Sequence, residues 1–155
     1  MNADNLWWEP DWRVWDRLHM ARFFTLLAQA EPERMPRMWC LNIVAEALWS
    51  AVDIFNRHVA EQQSKLGPKT TAWFKANEPL VHFIRNGAVH YAQPTGLGVV
   101  VTSGADDDAP TVEPTVWIML GGKHENTPLG EVVSRLTAVR LSIEKQVLMV
   151  TGERL

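Results

Sequence analysis

One apolar stripe does most to limit what this chain can become. Leu41, Val44, Ala45, Leu48, Val52 and Phe55 recur at the 3.6-residue period of an α-helix, and Trp49 and Ile54 widen the stripe. A face that wide has to be buried against other helices or a sheet. Its limits are set by helix breakers. Glu31-Pro-Glu-Arg-Met-Pro36 interrupts on one side and Gly67-Pro68 on the other, with Gly67 as the expected left-handed cap. The spacing predicts a helix from about Arg37 to Leu66, polar at its end in Glu61-Gln-Gln-Ser-Lys65.

The neighbouring segments supply partners for that face. Trp12, Trp15, Leu18, His19, Arg22, Phe23 and Leu26 keep helical spacing, which predicts a helix over about 11–30 with Asp11 as its cap. Trp8, Trp12 and Trp15 form an aromatic stripe, read first as core and second as a dimer surface. Lys69 to Ala76 forms a short helix or turn anchored by Trp73 and Phe74. Asn77-Glu78-Pro79 starts another helix, with Asn77 as cap, running to about Ala92. The β-branched runs Leu97–Thr102 and Pro114–Leu120 flank an acidic turn and predict a hairpin at about 97–120. Thr127-Pro128-Leu-Gly-Glu131 then opens a last helix that runs to about Val150, with its stripe at Val132, Leu136, Val139, Ile143, Val147 and Val150. The expected fold is all-α: an up-and-down four- to five-helix bundle with a two-stranded β-hairpin insertion before the last helix, in a single domain over 1–155.

Composition narrows the function classes. With 46% apolar and 21% charged residues, 155 residues suffice for one cored domain. A net charge of −3 gives no global field for nucleic acid, so a polyanion needs a local patch. The single Cys40 lies in the apolar run Met38–Leu41 and is expected in the core. The N-terminus lacks a basic leader region, and no apolar run approaches ~18 residues, so no membrane partner and a cytoplasmic location are expected. His19, His58 and His124 lack Glu-x-x-His or His-x-x-x-His spacing, so no metal or other cofactor is expected. Asp106-Asp107-Asp108 reads as a solvated loop tip, and Gly96-Leu-Gly98 precedes a strand rather than a helix. Arg13, Arg17, Arg22, Arg34 and Arg37 read as surface charges, some placed to line an RNA path.

Chemistry-bearing residues crowd into one segment, Leu80-Val-His-Phe-Ile-Arg-Asn-Gly-Ala-Val-His-Tyr91. With His82 at zero, a helix places Glu78, Arg85, Asn86 and His90 at roughly −40°, −60°, +40° and +80°. Leu80, Phe83, Ile84, Gly87, Ala88 and Tyr91 fall on the other side. One face should therefore be buried and the other present Arg85, Asn86, His82 and His90, with Glu78 as an i, i+4 partner for His82.

Arg85-Asn86-x-x-x-His90, late in the third major helix of a helical domain of this size, resembles the motif of the HEPN superfamily. That resemblance covers helix order over about 11–150. It implies metal-independent endoribonuclease activity by a homodimer, with two copies of the motif facing each other. His90 would be the acid/base residue, Arg85 would hold the scissile phosphate, and Asn86 would orient them or bond the RNA. His82 is a candidate substrate contact. The partners so implied are RNA, a second copy of the chain, and an antitoxin or regulatory protein in a toxin or defence setting. The hairpin lies outside the minimal four-helix domain of that family. The residue types suit the chemistry independently: RNA carries its own 2′-hydroxyl nucleophile, imidazole transfers protons near neutrality, and guanidinium binds phosphate oxygens in pairs. The alternatives are a non-catalytic HEPN-like module that binds a nucleotide or protein, and, ranked below it, a metal-dependent helical-bundle enzyme.

Overall fold

The computed structural model describes residues 10–59, 69–89, 101–102, 115–120 and 123–152, and these are mostly helical. The helices are α1 (Pro10–Ala30), α2 (Arg34–Ile54), α3 (Thr70–Asn77), α4 (Pro79–Val89) and α5 (Leu129–Thr151). A π-helical turn, Phe55–Val59, continues α2. The sequence reading extends α2 as a regular helix to Leu66; the ladder widens at Phe55, and 60–68 lie outside the described residues.

Helix α2 is the centre of the packing. It meets α1 along its length and also touches α3, α4 and α5. Leu41, Val44, Ala45, Leu48, Val52 and Phe55, the stripe that its period predicts, are all essentially buried. Each such Leu or Phe contributes on the order of 2 kcal/mol by leaving water. Small residues at Ala21 and Ala28 on α1 and at Ala45, Ala47 and Ala51 on α2 are buried as well, which leaves room for close approach of the two backbones. Cys40 sits in the same core, and burial pushes its thiol pKa up, so it packs as an apolar residue.

The turn between α1 and α2 is held by Arg37, which is 2% exposed. Its Nε and Nη2 donate to the Glu31 carbonyl at 3.1 and 2.8 Å, and Nη2 also donates to the Pro32 carbonyl at 3.0 Å. These carbonyls follow the end of α1, where helical partners run out. Arg37 is therefore a structural clasp and not the surface charge that the sequence suggested; Arg13 and Arg22 are exposed.

By length and composition, Met35–Arg57 would suffice to cross a membrane, with a mean hydropathy of 1.4, where the sequence reading found no such run. Half of that window is buried inside the fold. A helix packed on four others needs apolar residues on much of its circumference, and this packing accounts for the composition of α2.

Helix α1 starts at Pro10, one residue before the expected cap, so Asp11 lies inside its first turn. Helix α5 ends at Gly152, whose φ of 76° and N–H bond to the Leu148 carbonyl make a left-handed cap. Strands β1 (Val101–Thr102), β2 (Thr115–Leu120) and β3 (Lys123–Pro128) pair antiparallel in the order β1-β2-β3. Leu120 pairs with Lys123 at one end of the β2–β3 ladder and Thr115 with Pro128 at the other. The sequence reading placed no strand at 123–128. Most of its hairpin, 97–100 and 103–114, lies outside the described residues.

Candidate functional site

Helix α4 begins at a carboxylate. Pro79 opens the helix without needing an N–H partner, and the Leu80 N–H donates to Glu78 Oε1 at 3.2 Å. Glu78 is 8% exposed and would be costly there without a counter-charge. Arg135 of α5 supplies one, with Nη2 2.6 Å from Oε1 and Nε 3.3 Å from Oε2. Two expectations are corrected here. Asn77 is not the cap of α4: it is the last residue of α3, and its Nδ2 donates back to the Trp73 carbonyl at 2.8 Å. Glu78 does not pair with His82, because the two-pronged guanidinium of Arg135 engages both of its oxygens.

The buried face of α4 is Leu80, Val81, Phe83 and Ile84. Val81 adds to the face expected from the sequence, and among the described residues the polar side within α4 is His82, Arg85 and Asn86, all half-buried. These three gather around Trp49 of α2. The Arg85 guanidinium carbon lies 4.7 Å from the indole centroid. Its Nε lies 3.3 Å from Glu46 Oε2, with side-chain exposures of 25% and 50% for the two partners. The His82 ring is 5.6 Å from Trp49, and Trp49 in turn stacks on Phe74 of α3 at 5.3 Å and 10°. Arg85 is thus preorganised by a cation–π contact and an ion pair, and it stays partly exposed.

Asn86 Nδ2 lies 3.1 Å from His82 Nε2. Burial, then the charges of Lys75 and Arg85, lower the His82 pKa. Both facts fit a neutral imidazole that accepts at Nε2 from the amide and carries its proton on Nδ1. In that state His82 can donate to an incoming oxygen, while its acceptor nitrogen is occupied. The structure therefore brings Arg85, Asn86 and His82 together. His90 lies outside the described residues.

A cleft of about 490 Å³ opens beside this group, reaching from Trp49 and Arg85 to the start of α3. Arg57, Lys69 and Arg85 contribute cations to its wall, against the single carboxylate of Asp53. Asp53 is engaged by Arg57 Nε at 3.1 Å and by the Thr70 hydroxyl at 3.0 Å. Sequence reasoning missed Glu46, Trp49 and Lys69 as parts of this region. A signal existed for two of them: Glu46 and Trp49 are three apart on one flank of α2, with Asp53 seven after Glu46. Trp49 was instead assigned to the buried stripe, and it is only partly buried. Among the described residues, no three His, Cys, Asp or Glu side chains lie close enough to hold a metal ion.

No family model, no curated protein and no solved structure matches the chain.

Proposed function

We propose that the protein is a metal-independent endoribonuclease of HEPN type that acts as a homodimer on RNA in the cytoplasm, in a toxin or defence role. The single observation that carries this reading is the state of Arg85. A permanently charged, planar cation is held partly exposed by Trp49 and Glu46, and among the described residues its terminal nitrogens make no hydrogen bond, leaving them for a phosphate. The adjoining Asn86–His82 pair and the motif partner His90 complete the chemistry expected of Arg85-Asn86-x-x-x-His90. Arg85 would stabilise the charge that develops on phosphorus, and His90 would move the proton of the 2′-hydroxyl or of the leaving oxygen. Each chain has one such set, and two-fold pairing would bring two sets to one phosphate. The up-and-down order of the bundle and the insertion at 97–120 belong to the same proposal. The close packing of α1 on α2 across a three-residue link supports that helix order.

The test separates a catalytic Arg85 from a merely structural one. An exposed ion pair and one cation–π contact are together worth about 1 kcal/mol. Arg85→Ala should therefore keep its helical circular dichroism and melt only slightly earlier. His90→Ala should fold as well. Both should lose RNA cleavage by at least two orders of magnitude, the size of an acid–base or electrostatic contribution, and EDTA should leave the wild-type rate unchanged. Absence of cleavage by the purified wild type, or activity lost only with chelator, would overturn the proposal. Binding of RNA without turnover would favour the non-catalytic module.

A further inference from the structure

We infer that the cleft between the end of α2 and the start of α3 is a phosphate-binding site, taking a phosphate of a free nucleotide or of a polynucleotide chain that continues past Arg85. The inference rests on the proposed reading only in sharing Arg85, and names where that substrate's flanking phosphate is held.

Four observations converge on it. First, the wall carries Arg57, Lys69 and Arg85 against Asp53, and with Glu46, the partner of Arg85, counted as well, a local excess of one positive charge remains on a chain whose net charge is −3. Asp53 is bonded to Arg57 and Thr70, so its charge is largely committed. Lys69 has no ion-pair partner among the described residues, and it is exposed. Second, both polar atoms of the Asn56 side-chain amide are buried without a hydrogen-bond partner among the described residues, and Asn56 lines the cleft. An amide left so costs about 1–3 kcal/mol, and a turn of this side chain toward the cleft would bring it to a bound group. Third, α3 begins here with no side-chain cap on its first turn. The Trp73 N–H is bonded to the Lys69 carbonyl. The N–H groups of Thr70, Thr71 and Ala72 precede that bond and have no helical partner. Fourth, Asn56 and Arg57 lie in the π-helical turn, whose wider ladder shifts side chains away from the directions a regular helix would give them.

The chemistry favours phosphate over a carboxylate. A phosphate monoester offers three terminal acceptor oxygens and an internal diester two, in both cases diverging from a tetrahedral centre, so the group meets the lysine and the first-turn amides from different sides, where a carboxylate presents two coplanar oxygens. A volume of about 490 Å³ admits a nucleotide-sized group with the phosphate inside.

The test uses the full chain and calorimetric titration with three probes: inorganic phosphate, adenosine monophosphate and a 2′-O-methyl hexanucleotide, which cannot be cleaved through its 2′-oxygens. Saturable binding of the hexanucleotide is expected, with competition by the smaller probes. Lys69→Gln leaves an exposed position and should fold. It should weaken hexanucleotide binding about tenfold and reduce the slope of log affinity against log salt by about 0.7. Competition by the monophosphate as strong as by the hexanucleotide would assign the site to free nucleotides; weaker competition would assign it to a polynucleotide. Lys69→Gln binding all probes like wild type, or no saturable binding of any probe, would overturn the inference. Lys69-dependent binding in a protein that never cleaves RNA would uphold this site and sink the nuclease reading. Cleavage with unchanged affinity in Lys69→Gln would do the reverse.

Discussion

At the scale of single residues, the surroundings of His82 set its charge. Burial and the charges of Lys75 and Arg85 disfavour its protonated form in the folded chain. An unfolded chain takes up that proton at about pH 6.5. Below that pH, and down to the depressed folded value, the unfolded state binds more protons, so stability must fall as pH falls. Above it both states are neutral and His82 contributes no slope. Urea midpoints at pH 7.5 and at successive steps to pH 5 should therefore decline for wild type, and decline less for His82→Gln, which has nothing to titrate. Equal slopes would remove His82 as the cause. The polar set His82, Arg85 and Asn86 was legible in the sequence because helical angles follow from spacing alone. Glu46, 39 residues away from Arg85, was not, since periodicity within α4 carries no information about which helix lies against it. The error at Glu78 has the same origin. A local i+4 partner was visible in the sequence, and the guanidinium 57 residues on was not.

At the scale of elements, the long helices were readable and their ends less so. The stripes of α2 and α5 repeat often enough to fix which face is buried. On α1 the buried face runs through Val14, Trp15, Leu18, Ala21, Thr25 and Ala28, while His19, Arg22, Phe23 and Leu26 of the expected stripe are exposed, because small residues at the α1–α2 contact carry little hydrophobic signal. The π-helical turn had no sequence mark, because Phe-Asn-Arg-His-Val is compatible with either ladder and the choice is one of hydrogen-bond register. The short link between α3 and α4 is where an element can be tested most directly. Glu78 both caps α4 and pairs with Arg135 of α5. With 10% of the Glu78 side chain and 35% of the Arg135 side chain exposed, the pair is only partly screened by solvent. Glu78→Ala removes the cap and the two-pronged contact with Arg135, which should cost about 2 kcal/mol. For a chain of this length that is a fall in melting temperature of roughly 4–8 °C. Because the two residues share one interaction, the Glu78→Ala, Arg135→Ala double variant should lose clearly less than the sum of the single losses. Additive losses in differential scanning calorimetry would show that the contact does not couple α4 to α5.

At the scale of the molecule, the proposed chemistry needs more than one chain. The exposed side of α2 carries Trp39, 56% exposed, two helical turns before Glu46 and on the same flank. A rise of 1.5 Å per residue sets them about 10 Å apart along the helix. A large apolar side chain so near the Arg85 region suits the centre of a pairing surface. Sedimentation equilibrium at micromolar concentration should give the mass of two chains. Trp39→Glu should shift that mass toward one chain, with helix content unchanged and RNA cleavage lost. A monomeric wild type that cleaves RNA would rule out shared catalysis. The corner at Glu78 adds a mechanical consequence. Lys69 stands at the far end of one short arm and Arg85 on the other, and the two arms meet at a single residue. That residue is bolted to α5 by Arg135. The corner works like a carpenter's square, in which the angle at the joint sets the gap between the tips. A ligand that spans Lys69 and Arg85 is measured against that gap, so loosening Arg135 should change which lengths of ligand fit without altering any group that touches them.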